Sequence, residues 1–391
     1  MTPTHLPWRA LAALLAAAAL ATACGGVDSG GTGQTAQTTS TGRISGFGSV
    51  IVNGVRYDDS QANIVDDDGA LRSRSDLKLG MVVEVTGERR GNSGTGVAYR
   101  IQYGNEIAGP VESVDVLTSQ LVVLGQRVRV DVDTIFDGHA NGLAGVLAGD
   151  LIEVFAFYDI TSEVYTATRI ERRATLAAYK LRGRISALDT VDNHSFSIGS
   201  ALIDYGSIAP PALPRLANGL SVRVTLQNTP VAGRWVASSV HTSQRNFPEA
   251  REAELEGFIS GFVSSASFSV AGIPVDASAP GVRFRHGNLN DLANGVRVEV
   301  EGVMRTGVLV ASEVDFKRGG DQEFELNGAI ESVNTPAQTF VLRGVTVTYD
   351  NRTVFAAGRE VNLLVGARVE VRGAPSAGGV GLQARQIRFE R

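Results

Sequence analysis

The strongest constraint on this chain is a short pattern that it repeats five times. The clearest copy is Leu292-Ala293-Asn294-Gly295-Val296-Arg297-Val298-Glu299-Val300-Glu301-Gly302, and its relatives begin at Leu77, Val146, Leu216 and Leu363. An aliphatic residue is followed three places on by glycine (Gly80, Gly149, Gly219, Gly295, Gly366). Two aliphatics separated by one polar residue come next: Val83/Val85, Ile152/Val154, Val222/Val224, Val298/Val300 and Val369/Val371. Period-two alternation after a glycine predicts a turn feeding a half-buried β-strand. A pattern that returns about every seventy residues is a tandem array, and recognising it comes before any motif search.

The rest of each copy follows the same grammar. It opens on Gly-x-aliphatic (Gly42-Arg43-Ile44, Gly109-Pro110-Val111, Gly183-Arg184-Ile185, Gly257-Phe258-Ile259, Gly328-Ala329-Ile330). Glycine inside a strand marks a bend. A hairpin pattern comes next, as in Val50-x-Val52-x-Gly54 and Phe268-x-Val270-x-Gly272, with Asn53-Gly54 its best turn signal. Copy 3 has Ser200 where the others have this glycine. After the signature strand, a last strand ends in Ala-x-x-Ile/Val, from Ala98/Ile101 to Ala384/Ile387. The expected copies are residues 42–107, 108–182, 183–255, 256–326 and 327–391, each all-β with about five strands and its own apolar interior, set out as an elongated row.

A bent strand, a hairpin, a connection and a second hairpin resemble the OB-fold, a small five-stranded barrel. From Gly42 onward the chain is similar to bacterial lipoproteins built from tandem copies of a small OB-like domain of unknown function. That resemblance implies a fold and a location, and no reaction.

The N-terminus carries an address. Arg9 precedes an apolar run, Leu11 to Leu20, too short to span a bilayer. Leu20-Ala21-Thr22-Ala23-Cys24-Gly25 resembles a bacterial lipobox, with Cys24 the single cysteine of the chain. The resemblance implies a signal peptide over residues 1–23 and lipid attachment at Cys24. Gly25, standing where an inner-membrane lipoprotein would carry Asp, implies an outer-membrane address. The alternative is an ordinary secretory signal with an incidental cysteine. Residues 24–41 are rich in Gly, Ser, Thr and Gln and read as a disordered, flexible tether. With one cysteine, no intramolecular disulfide forms, so stability rests on packing.

Composition narrows the function. The net charge is −5, and no broad basic face is visible, which argues against nucleic acid. Aromatics make up 6% and several fall at inward positions, leaving few stacking platforms. Asp66-Asp67-Asp68 lacks the alternating oxygens of a calcium loop and reads as a solvated acidic loop, with weak divalent-cation binding as its functional alternative. His5, His139, His194, His241 and His286 lack metal spacing and read as loop residues apart from His5 in the signal. Residues 90–96 are a hairpin tip, since no helix follows to cradle phosphate. Arg169, Arg172 and Arg173, with Arg385, Arg388 and Arg391, read as solvated strand ends that could meet lipid headgroups or an anionic glycan. The polar column Glu84, Glu153, Arg223, Glu299 and Glu370 reads as solvent-facing.

No catalytic, cofactor-binding or metal-ligating set is expected. The expected function is a non-enzymatic, lipid-anchored cell-envelope protein acting as a binding or spacer array, with an envelope protein or polysaccharide as partner beyond the membrane itself. A carbohydrate- or cation-binding surface lipoprotein is the alternative, and a carboxylate-based hydrolase in one diverged copy a remote one.

Overall fold

A computed structural model describes residues 35–90, 94–243 and 252–390. Cys24 and the signal segment lie outside the described residues. Strands and short 3-10 turns make up the regular structure, with no α-helix among the described residues.

Copy 1 shows how each ring closes. Its opening strand (Thr35–Phe47) pairs antiparallel with the first hairpin strand (Val50–Val52), which pairs with the second (Val55–Asp58). The second hairpin strand runs parallel to the closing strand (Thr95–Tyr103). The closing strand pairs with the signature strand (Val82–Arg90), which returns to the opening strand. A short strand (Asn63–Asp66) also lies parallel to the closing strand. Five strands in this closed order make an OB-like barrel, and the other four copies repeat it. Copy 3 shows no short strand among the described residues.

The glycine column holds the turn before each signature strand. All five residues sit at positive φ, near +80° to +89°, a region where a Cβ is strained. Each donates its N–H to the carbonyl of the aliphatic residue in its own copy's Gly-x-aliphatic opening, as Gly80 does to Ile44 at 2.9 Å. The paired aliphatics of the signature strands all point inward and are buried. At roughly 1.5–3 kcal/mol for each fully buried aliphatic or Phe, these positions are the main source of stability in so small a barrel.

Two expectations are corrected. Residues 35–41, read as tether, are strand. Thr38, Thr39, Ser40 and Thr41 are buried, because the copy 1 signature strand pairs on one edge and the copy 4 opening strand (Glu252–Ser264) on the other. β-branched threonine suits a strand flanked on both edges. Nor do the barrels form a row. The copy 1 opening strand also runs parallel to that of copy 5 (Phe324–Asn334), and the copy 2 opening strand (Ile107–Asp115) pairs with that of copy 3 (Tyr179–Arg184). Copies 1, 4 and 5 thereby share one hydrogen-bonded network of 18 strands, and copies 2 and 3 another of 12. The opening strand outgrows its own ring, and the backbone edge it exposes is satisfied by a neighbouring barrel.

Candidate binding cleft between barrels

The site grows from an irregularity in copy 2. Outward positions of the signature strand are mostly polar elsewhere: Glu84/Thr86/Glu88 in copy 1 and Glu299/Glu301 in copy 4. In copy 2 the same face reads Glu153, Phe155, Phe157. Phe155 joins the apolar cluster of copies 1 and 5. Phe157 meets Val82 of copy 1 and Phe258 of copy 4. Two guanidinium groups lie over its ring, Arg297 at 4.8 Å and Arg43 at 5.9 Å, and both also contact the buried Glu256. Each stacked cation contributes about 0.5–2 kcal/mol in so desolvated a place. Phe157 therefore fixes copies 1, 2 and 4 around one ring.

Beside Phe157 opens a cleft of about 480 Å³, bounded by copies 2, 3 and 4. Tyr158 and Tyr165 stand on one wall, with ring centroids 4.5 Å apart. Gly183, Gly219, Gly257, Gly261 and Gly272 line the other walls, and Gly219, Gly261 and Gly272 leave backbone exposed there. Glu106, Arg182 and Arg184 supply charge, and Arg182 Nε lies 3.5 Å from Glu106. The Tyr165 hydroxyl donates to the Arg182 carbonyl. Burial, with the Glu163 carboxylate adding to it, pushes the Tyr158 phenol up to about 12, so it keeps its proton and remains a hydrogen-bond donor. A cavity at a domain junction with aromatic walls and a few converging polar groups is the usual form of a small-ligand site.

A second cavity, about 380 Å³, lies between copies 1 and 4 and reaches Glu325 of copy 5. Its charges largely pair among themselves. Lys317 lies 2.9 Å from both Glu299 and Asp315, and His286 Nδ1 lies 2.6 Å from Asp315. Burial disfavours the Lys317 ammonium, but Glu299 and Asp315 outweigh it and hold the group above its usual range.

Several residues singled out from sequence do other work. The acidic loop is only partly solvated: Asp66 is buried and Asp67 half-buried, while Asp68 is exposed. Asp66 Oδ1 accepts from the N–H groups of Asp68 and Ala70, and Arg72 donates to its Oδ2. Asp67 meets three cations of copy 3: Arg223 at 2.9 Å, Arg182 at 3.2 Å and Lys180 at 3.5 Å. Asp68 pairs with Lys180 and Arg223. The loop is a latch between copies 1 and 3, and its carboxylates are taken by Arg and Lys. Arg223 of the outward column is likewise an interface residue, while Glu153, Glu299 and Glu370 pair with Arg173, Lys317 and Arg372.

Arg169 is buried as well. It binds Asp137 and Glu171 and donates to the Leu79 carbonyl of copy 1 at 3.1 Å. Arg172 and Arg173 pair with Asp150 and Glu153, Arg385 and Arg388 are exposed, and Arg391 lies outside the described residues. His139 is buried 3.4 Å from Asp150, and burial lowers its pKa, whereas His194, His241 and His286 are exposed. Among the described residues no group of three or more His, Cys, Asp or Glu side chains is placed to hold a metal ion. The inter-barrel cleft went unread in the sequence, although Phe155 and Phe157 on a polar face were a visible signal.

Residues 40–102, 108–171, 256–315 and 327–388 match the family described as a domain of unknown function (DUF5666). Together the four matches span more than half of the chain, which belongs to this family. Copy 3 closes the same ring without matching, in keeping with Ser200 and the missing short strand. A solved structure of drosophila Unr CSD456 aligns with 74% of this chain and 98% of that one at 10% identity, with a TM-score of 0.14, and carries no argument. No protein of curated function matches the chain.

Proposed function

Starting from membership of that family, we propose that the chain is a non-enzymatic binding protein of the cell envelope, held at the outer membrane by acyl chains on Cys24. Its ligand site is the cleft between copies 2, 3 and 4, and its ligand is a carbohydrate. The observation that carries this reading is the composition of the cleft walls. The half-buried Tyr158 ring, backed by the buried Tyr165, offers an apolar face to the C–H side of a sugar ring, and the Tyr158 hydroxyl, Glu106, Arg182 and Arg184 offer hydrogen bonds to its hydroxyls. The glycines let a flat ring approach the backbone.

Binding is favoured over a spacer role by the fold-back of the array. A spacer gains reach from barrels in line, whereas cross-copy strand pairing shortens it. Divalent-cation binding is the weaker alternative, since the Asp66-Asp67-Asp68 carboxylates already hold cationic side chains.

Calorimetric titration with envelope polysaccharide fragments tests the site. Saturable binding that weakens about tenfold in Tyr158→Ala supports it, the loss of one aromatic stacking contact being worth about 1 kcal/mol or somewhat more. Heat that is flat for every glycan, or unchanged in Tyr158→Ala, removes the proposal. Anchoring is tested separately: Cys24→Ser releases the protein from the membrane fraction if the lipid reading holds.

A further inference from the structure

Copy 5 carries, uncovered, both halves of a contact that the chain uses internally. In that contact copy 2 docks on copy 1. The loop half comes from copy 1: Leu79, just before Gly80, is buried. The strand half comes from copy 2: Ile135 opens its short strand (Ile135–Asp137) and packs with Leu77 and Leu79. The fit is close. A Cβ on Gly80 would stand 3.3 Å from Ile135 Cγ1 and 2.6 Å from the Thr168 carbonyl oxygen.

Backbone geometry gives the equivalent positions in the other copies. The residue before the turn glycine is Leu79, Ala148, Asn218, Asn294 and Val365 in copies 1 to 5. It is small or polar where it lies open in copies 2, 3 and 4, and leucine where a barrel covers it. The first residue of the short strand, by its parallel register with the closing strand, is Asn63, Ile135, Arg283 and Val354 in copies 1, 2, 4 and 5. It is polar where open and isoleucine where covered. Copy 5 breaks both regularities. Val365 is 69% exposed and Val354 58%, with Val361 and Leu364 exposed beside them.

We propose that these surfaces pair between molecules, the loop half of copy 5 in one chain receiving the short-strand half of copy 5 in a second. The contact is head-to-tail: each chain that receives still has its own strand half free. The internal version is helped by tethering, so the intermolecular one is weaker and needs a high local concentration, as on a membrane surface.

Sedimentation equilibrium over a wide concentration series tests this on the full chain carrying Cys24→Ser, which removes acyl chains from the comparison. The average mass is expected to climb past two chains. Val354→Arg and Val365→Asp, both at exposed sites, each stay single. Mixed together they form pairs and nothing larger, because one variant keeps the loop half and the other the strand half. Leu147→Asp, which removes an exposed leucine from the matching loop of copy 2, behaves as the parent. A parent that remains single throughout, a mixture that fails to pair, or a Leu147→Asp variant that dissociates like the other two overturns the proposal.

Discussion

Copy 3 is held on two sides by opposite kinds of chemistry. Towards copy 2 the joint is apolar. Leu181 and Ile107 face each other in the paired opening strands, and one buried cluster runs through both barrels from Val111 to Val240. A few polar ties cross it: the Gln126 amide donates to the Ile198 carbonyl at 2.7 Å, the Ser200 hydroxyl to the Gly125 carbonyl at 2.8 Å and the Tyr165 hydroxyl to the Arg182 carbonyl. Towards copy 1 the joint is ionic, with Asp67 and Asp68 clasped by Lys180, Arg182 and Arg223. Apolar burial is indifferent to pH and gains little specificity. An ion cluster returns little net energy once its desolvation is counted, yet losing one member strands the others. The first joint fuses two barrels into one folding unit, and the second sets how a neighbour sits.

Leu181→Ala has the largest expected effect, because it opens a cavity in the shared core. It costs about 2–5 kcal/mol. Hydrogen exchange then speeds up in copies 2 and 3 together, while copy 4, whose apolar cluster is separate, keeps its protection. Protection lost in copy 3 alone would show that the two cores are not one unit.

Asp67→Ala comes next. It leaves three cations facing one another, and because they are partly exposed the cost is about 2 kcal/mol. Exchange increases at the copy 1 acidic loop and in the copy 3 signature strand (Ser221–Leu226), and the copy 2–copy 3 core is unaffected.

The remaining effects are in pH, and they have opposite signs at two joints. At the latch, burial opposes the Asp68 charge but Lys180 and Arg223 prevail, so its pKa is lowered. That contribution is complete above the unfolded carboxylate range and fades as pH falls through the folded value. At the copy 1–copy 4 joint, burial lifts the Glu254 carboxyl to about 8, with Glu299 and Glu301 adding to it and Arg89 opposing. The folded state there keeps a proton that the unfolded chain has released, so stability falls as pH rises from the ordinary carboxylate range towards 8. Denaturation midpoints of Glu254→Gln are expected to show a shallower alkaline slope, since burial raises the pKa of Glu252 and Glu256 beside it as well, and to keep the acid one. An undiminished alkaline slope would assign it to another group.

The barrel interior was readable because alternation states which face of a strand is buried. The glycine column and the paired aliphatics of the signature strands all fell where the pattern put them. What covers the outer face was not readable. Asp67, Arg169 and Arg223 look like solvent residues in sequence, since a charge at an ion-paired interface and a charge in water have the same pattern. Thr38 to Thr41 looked like tether for the same reason: a strand whose two edges are both paired by other strands needs no apolar side chains to hold it. The exception was Phe155-Ala156-Phe157, where apolar residues on both faces announced a covered strand.

The central claim is that five barrels fold back on one another through their opening strands instead of standing in line. Small-angle X-ray scattering of the Cys24→Ser chain tests it most directly. A compact body of this length has a radius of gyration of about 21 Å, and the folded-back array predicts a value close to that. A radius roughly twice as large, with the scattering of a rod, would contradict the account.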